Sequence, residues 1–255
     1  MQENKYITPY DKHLNYRKDF MDIAPRFFLR TSLMLKLLKR EKGLIVDIGC
    51  GDGYFLRKLA TLGYHCVGID ISVKAIEQAK VIVQGYPSCE VYCTTIHEFD
   101  GVSAFDVAVC GELLEHVEDD IDFLNHINGL LKRGGKLILS VPIDKKLWTY
   151  HDSEAGHFRR YSKEEIFKKL EGSGFKVENY VVWGYPIIRM LHLRIRREQE
   201  KRMGNGKIQR KTDLLLKMKP LFKLAKYIVL FDNIFNFTEK GVGIIIKGVK
   251  VKEYR

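Results

Sequence analysis

Residues 46–55 read VDIGCGDGYF, and this stretch decides the fold. It completes LIVDIG (44–49), a run of β-branched and apolar residues that suits a buried strand. Gly49, Gly51 and Gly53 follow at once, before a segment of helical period that begins near Tyr54. Glycine lets a strand turn sharply into a helix and leaves bare backbone for a ligand to approach. Strand, glycine turn and helix together make the first βα unit of a nucleotide-binding sheet.

The alternation continues outward from that unit. Strands are predicted at LIVDIG (44–49), HCVGID (65–70), CEVYCT (89–94), FDVAVC (105–110), KLILSV (136–141), KVENYVVW (176–183) and GIIIKGV (243–249). Helices are expected from near Tyr54, Val73 and Ile121, and over Lys163 to Leu170. Short apolar runs alternating with helical stretches imply an α/β, doubly wound, mostly parallel sheet of seven strands. The second strand ends in Asp70, a carboxylate able to accept both hydroxyl hydrogens of a ribose. The glycine spacing is Gly-x-Gly-x-Gly rather than the Gly-x-Gly-x-x-Gly of pyrophosphate-binding turns. Asp47 beside it repels a pyrophosphate and suits the amino-acid ammonium of a sulfonium cofactor.

Composition narrows the class. The 255 residues are 45% hydrophobic and 29% charged, ordinary for a chain that folds in water. No apolar run approaches the ~20 residues of a membrane span, and the first residues lack the apolar stretch of a secretory signal. A cytoplasmic protein is therefore expected, with peripheral contact at the inner membrane face left open. The five cysteines (Cys50, Cys66, Cys89, Cys93, Cys110) form no zinc-type pairs and read as small buried hydrophobes. APRFFLRTSLMLKLLKR (24–40) is amphipathic, with Phe27, Leu33, Leu37 and Leu38 on one face, so residues 1–42 are read as a helical cap beside the sheet or the cleft. Residues 43–183 and 241–255 are read as the Rossmann-like domain. The stretch 184–240 is too long for a structureless loop and is read as a helical insertion between strands six and seven.

Three further stretches sharpen the pattern: DIGCGDG (47–53), FDVAVCGELLEHVED (105–119) and LKRGGKLILSVP (131–142). With the acid ending strand two, they resemble the class I S-adenosylmethionine-dependent methyltransferases that act on small molecules, among them the ubiquinone-biosynthesis O-methyltransferases. The resemblance covers Gly43 to Phe175. It implies strand order 3-2-1-4-5-7-6 with the last strand antiparallel. It also implies that Gly49, Gly51 and Gly53, with Asp47 and Cys50 in the same turn, surround the methionine moiety. Asp70 would hold the ribose, Ile71 would pack on the adenine with Thr95 and Ile96 beside it, and Gly111 would border the methionine end. Many relatives carry an acid after strand three, whereas this chain has Thr94 and Thr95 there, so a hydroxyl or main-chain contact must substitute.

Methyl transfer to oxygen requires removal of a proton, by a histidine base or by a divalent ion that lowers the hydroxyl pKa. ELLEHVEDD places Glu112, Glu115 and His116 within one helical turn, where positions three and four apart share a face. This stretch resembles the Glu-x-x-Glu-His motif of metal-dependent O-methyltransferases of ubiquinone biosynthesis and of small-RNA 3′ ends. That motif takes a later histidine as a further ligand, and His157 matches it better than His151. Glu112, Glu115, His116 and His157 are thus candidate ligands for Mg²⁺, Mn²⁺ or Zn²⁺, with Glu115, His116 and His157 as candidate catalytic groups. The alternative is that the pair merely lines the substrate side or satisfies local hydrogen bonds. Arg159, Arg160 and Tyr161 could bind a phosphate or carboxylate on the substrate, or pair with Glu112, Asp119 or other acids. Ser162 and Glu165 form a capping box.

From Arg189 to Lys226 thirteen basic residues stand against three acidic ones, so most of the +11 net charge lies in the insertion. Leu215, Met218, Phe222 and Tyr227 recur there near helical spacing. The insertion could be a lid over a small-molecule pocket, an interfacial surface across residues 189–231 resting on anionic lipid, or an RNA contact. No aromatic RNA-binding motif, zinc knuckle or Asn/Asp-Pro-Pro-Tyr tetrad accompanies it, which makes nucleic acid the weakest of the three. The expected activity is methyl transfer from S-adenosylmethionine to a hydroxyl of a lipid-linked, sugar or natural-product acceptor. Its rivals are an RNA 2′-O-methyltransferase and a non-catalytic cofactor-binding protein that contacts a membrane or partner.

Overall fold

The computed structural model describes residues 24–204, 225 and 227–253, with side chains 198–204 left out. The elements are α1 (Pro25–Leu38), β1 (Leu44–Ile48), α2 (Tyr54–Thr61), β2 (His65–Asp70), α3 (Val73–Val83), β3 (Cys89–Cys93), β4 (Phe105–Gly111), α4 (Asp120–Leu130), β5 (Leu131–Pro142), α5 (Tyr150–Glu154), α6 (Lys163–Gly172), β6 (Phe175–Trp183), α7 (Ile187–Gly204) and β7 (Gly243–Lys250). Single 3₁₀ turns cover Leu114–His116 and Lys145–Leu147, and a longer one covers Val229–Phe235.

Seven strands form one sheet in the order β3-β2-β1-β4-β5-β7-β6. β1, β2, β3, β4 and β5 run parallel, and β7 enters antiparallel between β5 and β6. Because successive side chains point to opposite faces, one strand feeds two cores. Val46, Ile48, Cys110, Leu139 and Ile246 face the layer of Phe123, Leu124, Ile127, Ile166 and Leu170 from α4 and α6. Ile45, Val107, Val109, Ile138 and Ile245 face Leu29, Leu33, Met34, Leu56, Leu59 and Ile76 from α1, α2 and α3. Helices on both faces leave the C-terminal strand ends as the open edge where a ligand can bind.

Two details differ from the sequence reading. β5 starts at Leu131 rather than Lys136, with a register shift between Phe105 and Val107 of β4 absorbing the extra residues. The buried face of α1 is Leu29, Leu33, Met34 and Leu38, whereas Phe27 and Leu37 are only partly covered. Of the cysteines, Cys50, Cys66 and Cys110 are buried, Cys89 is half-buried and Cys93 is exposed. Cys93 is therefore not the buried hydrophobe expected of it.

In the stretch 184–240, α7 and the turn Val229–Phe235 are described; Leu215, Met218 and Phe222 lie outside the described residues. Asp232, fully buried, accepts hydrogen bonds from the Ile187 and Ile188 amides at 2.8 and 3.0 Å, satisfying orphan donors at the start of α7. Arg189 binds Asp144 and the carbonyls of Lys240 and Gly241, so the first basic residue of the segment serves docking rather than solvation. No helix among the described residues is long and apolar enough to cross a membrane. Asp232→Ala leaves a buried amide at Ile188 unpartnered and is expected to lower stability by about 1–3 kcal/mol in urea unfolding. An unchanged midpoint would mean that the segment is held by other contacts.

Candidate active site

The cleft begins at the β1–α2 turn. Gly49, Gly51 and Gly53 have φ of 71°, 56° and 80°, left-handed values that side chains other than glycine adopt at a cost. The amides of Gly49 and Cys50 both donate to the Ile69 carbonyl, at 2.8 and 3.0 Å, folding the turn over the end of β2. A Cβ on Gly49 would stand 2.7 Å from Leu113, so the backbone there is closely covered. Asp70 grips the turn: its Oδ2 accepts from the Gly51 amide and its Oδ1 from the Ser72 amide, each at 2.9 Å. A carboxylate has about four lone-pair positions, so these bonds orient it and still permit hydroxyl donors.

Asp47, 4% exposed, sits under the turn with Oδ2 lacking any hydrogen-bond partner. Burial, with Asp70 adding to it and Arg30 opposing, pushes its carboxyl up to about 8. A buried orphan acid of this kind fits an incoming ammonium. Cys50 is buried within the turn, its thiol 3.9 Å from the Gly51 carbonyl. Ile71 is exposed at the end of β2. Gly111 lies beneath Met34 of α1, whose Cε would be 3.4 Å from an added Cβ. Thr95 bonds Glu98 through its hydroxyl, and Ile96 is buried in the core. Thr95 thus caps its own turn and stays partly exposed, while Ile96 packs inward.

At the end of β4 the candidate ligands separate. Glu112 has φ of 56°, and its carboxylate accepts from Ser140 Oγ at 2.8 Å and pairs with Arg26 and Arg30 of α1 at 3.3 and 3.5 Å. Burial alone would raise its carboxyl, but Arg30, Arg26 and Ser140 outweigh that and hold it below the usual range. Glu115 is fully buried with neither carboxylate oxygen hydrogen-bonded, and burial plus the nearby Glu112 lifts its carboxyl far above the usual range. Donor atoms of Glu115, His116 and His157 lie within 4.8 Å of one another. The structure therefore groups three of the four candidate ligands and assigns Glu112 to α1 instead. Positions 112 and 115 share a face only when both lie in one helical run, and here Glu112 takes a positive φ at the strand end, outside the 3₁₀ turn Leu114–His116.

The histidines are held edge to face, ring centroids 4.5 Å apart. Burial, reinforced by His157, pushes His116 down to about 4, so its ring is neutral at pH 7. His157 Nδ1 lies 3.0 Å from Asp152 Oδ1. A carboxylate behind an imidazole is the usual way a ligand histidine is oriented. Burial would raise Asp152, but His157, Arg160 and Thr149 keep it well below the usual carboxylate range. His151 is not in the cluster.

For Arg159, Arg160 and Tyr161 the geometry shows the second of the two readings, pairing with acids. Arg160, 2% exposed, spends its guanidinium on Asp152 and the Ile143 carbonyl. Tyr161 is fully buried and donates to Asp120 and the Leu114 carbonyl, while Arg159 pairs with Asp120 at 2.7 Å. These contacts brace the segments carrying Glu115 and His157. Sequence reasoning missed Asp152, Asp120, Arg26 and Arg30. Only Asp152 had a local signal, a capping box with Thr149.

Sheet order, glycine turn and the acid ending β2 define a class I S-adenosylmethionine-dependent methyltransferase. Residues 11–180 match the family model described as "Methyltransferase domain", and the chain belongs to that family. A ubiquinone biosynthesis O-methyltransferase of Bradyrhizobium sp. (strain ORS 278) is 37% identical over 120 residues, 47% of each chain. The mitochondrial protein of that name from Schizosaccharomyces pombe is 39% identical over 100 residues, 38% of this chain and 36% of its own. The chain thus spans about half the length of the curated relatives it matches. Among solved structures, the complex of the Haloferax volcanii Trm112 activator and a methyltransferase aligns with TM-score 0.67 and 15% identity, covering 97% of this chain and 100% of that one. The N-methyltransferase NodS of Bradyrhizobium japonicum with S-adenosylhomocysteine aligns with TM-score 0.61 and 17% identity, covering 96% and 100%. These distant structures share the fold.

Asp47 is expected to make cofactor affinity pH-dependent. Below about pH 8 the unliganded carboxyl holds its proton; an ammonium placed beside it lowers that pKa, so binding releases the proton. Calorimetry with S-adenosylhomocysteine should show affinity rising from pH 6 to 8, by at most about tenfold per pH unit. Asp47→Asn should flatten the profile; an equal slope in that variant would place the proton elsewhere.

Proposed function

We propose that this protein methylates a hydroxyl of a small molecule and that Glu115, His116 and His157 manage the acceptor's proton. The observation that carries this reading is Glu115, a buried carboxyl with two unbonded oxygens beside two histidines at the cleft end of β4. Such a group is costly unless a ligand satisfies it. The names of the curated relatives, ubiquinone biosynthesis O-methyltransferases, support oxygen as the acceptor atom.

Bound S-adenosylmethionine supplies an electrophilic methyl group, and a divalent Mg²⁺, Mn²⁺ or Zn²⁺ held by Glu115, His116 and His157 would supply Lewis acidity to the acceptor hydroxyl. The donor set of one carboxylate and two imidazoles fits Zn²⁺ or Mn²⁺ better than Mg²⁺, which favours oxygen ligands. His116, neutral at pH 7, has a lone pair for a proton or a metal. Asp152, itself clamped by Arg160 and Thr149, fixes the His157 ring. Asp70 and the glycine turn orient the cofactor so that reaction depends on alignment. Glu115→Gln and His157→Ala should lower kcat by roughly 10²–10⁴-fold with S-adenosylhomocysteine affinity unchanged. EDTA should reproduce the loss in the native chain if the ion is required. Full turnover in both variants would remove the cluster from the mechanism.

A specific surface supports an acceptor delivered from lipid. Tyr227, Ile228, Phe231, Ile234 and Phe237 are each exposed in or beside the turn Val229–Phe235, and Lys240 follows close in sequence with its ammonium over the Tyr185 ring. Apolar and aromatic side chains beside basic ones suit the interface of an anionic membrane. Co-sedimentation with phosphatidylglycerol vesicles should fall in Phe231→Ser/Phe237→Ser while cofactor affinity holds. Equal binding to neutral vesicles and by the variant would reject this surface.

A further inference from the structure

Outside the cleft, three metal-binding side chains meet where the turn after β3 passes α4. His97 follows Ile96 in that turn, while Asp122 and His126 stand one turn apart on α4. His97 Nε2 lies 2.8 Å from Asp122 Oδ2, and the same oxygen lies 3.5 Å from His126 Nδ1. The two imidazole centroids are 4.1 Å apart. One donor atom from each residue lies within 4.8 Å of the others. Solvent reaches all three side chains, which are 50%, 49% and 39% exposed for His97, Asp122 and His126.

We infer that His97, Asp122 and His126 form a surface site for a borderline divalent transition ion, Zn²⁺ foremost, separate from the cleft. Two imidazole nitrogens and one carboxylate oxygen make a zinc set with a fourth position for water, whereas Mg²⁺ and Ca²⁺ favour oxygen ligands alone. Tetrahedral bonds of ~2.0–2.1 Å put ligand atoms about 3.3 Å apart. The two spacings to Asp122 Oδ2, 2.8 and 3.5 Å, bracket that edge, and the three side chains are exposed enough to adjust on binding. His126 Nδ1 also stands 2.9 Å from the Asp122 carbonyl, so ligation through that nitrogen replaces one surface hydrogen bond. An ion here ties two elements that are distant in sequence. The turn after β3 is anchored by buried Ile96 and capped by Thr95, and α4 is capped by Asp119. An ion bound only by the folded chain raises the melting temperature, and more so as the free-ion concentration rises.

The test is calorimetric titration of the untagged full-length chain with Zn²⁺ in a His116→Ala/His157→Ala background, which silences the cleft cluster. One equivalent should bind at micromolar concentration and raise the melting temperature, and Mg²⁺ should not compete. Adding His97→Ala or Asp122→Asn should weaken binding more than about tenfold. If the background variant gives no cooperative melt, the same comparison is made in the native chain, where His97→Ala should remove one equivalent of Zn²⁺. Absence of micromolar binding in the folded background, or affinity and stoichiometry unaffected by His97→Ala, would overturn the site.

Discussion

The cleft depends on one carboxylate holding two backbone amides. Asp70 takes the Gly51 amide from the β1–α2 turn and the Ser72 amide from the start of α3. Charge-assisted bonds of this kind are about twice as strong as neutral ones, and here they join the ends of adjacent strands. The glycines make that closeness sterically possible, and Asp70 makes it specific. A turn bent in this way leaves Asp47 enclosed beneath it, with Oδ2 lacking a hydrogen-bond partner.

Three acids at this edge are then separated by their surroundings. Glu112 receives Arg26 and Arg30 and stays ionised, whereas Asp47 and Glu115 are buried without a full set of partners and hold protons more tightly. The difference comes from α1, which brings the two guanidinium groups to Glu112. A buried carboxyl that is neutral alone and charged beside a cation responds to a ligand, and Asp47 and Glu115 are two such groups. One suits an ammonium; the other sits among imidazoles.

The sheet was legible because each strand is a short apolar run, and all seven strands start or end within a residue or two of the sequence reading except β5. Its early start rests on a bulge opposite β4, which periodicity does not record. The cofactor turn was legible because glycine spacing constrains backbone directly. Side-chain partners were not. Arg160 looked like an anion binder because its sequence neighbours do not reveal Asp152 eight residues earlier, turned towards it by α5. Glu112 looked like a ligand because the i, i+3 rule presumes one continuous helix, and a positive φ puts Glu112 outside the turn that carries Glu115.

The same limit explains the bracing around the cluster. Asp120 collects Arg159, Tyr161 and Lys169, while Asp152 collects Arg160, Thr149 and His157. Both acids are nearly inaccessible, so the cost of burying them is met only when each has several donors. Removing one donor strands the charge, which makes each network rigid as a unit. Asp120 fixes the segment that bears Glu115 and His116, and Asp152 fixes the one that bears His157. Two buried acids on separate segments thus set the position of a third, Glu115, whose own oxygens remain open to a ligand.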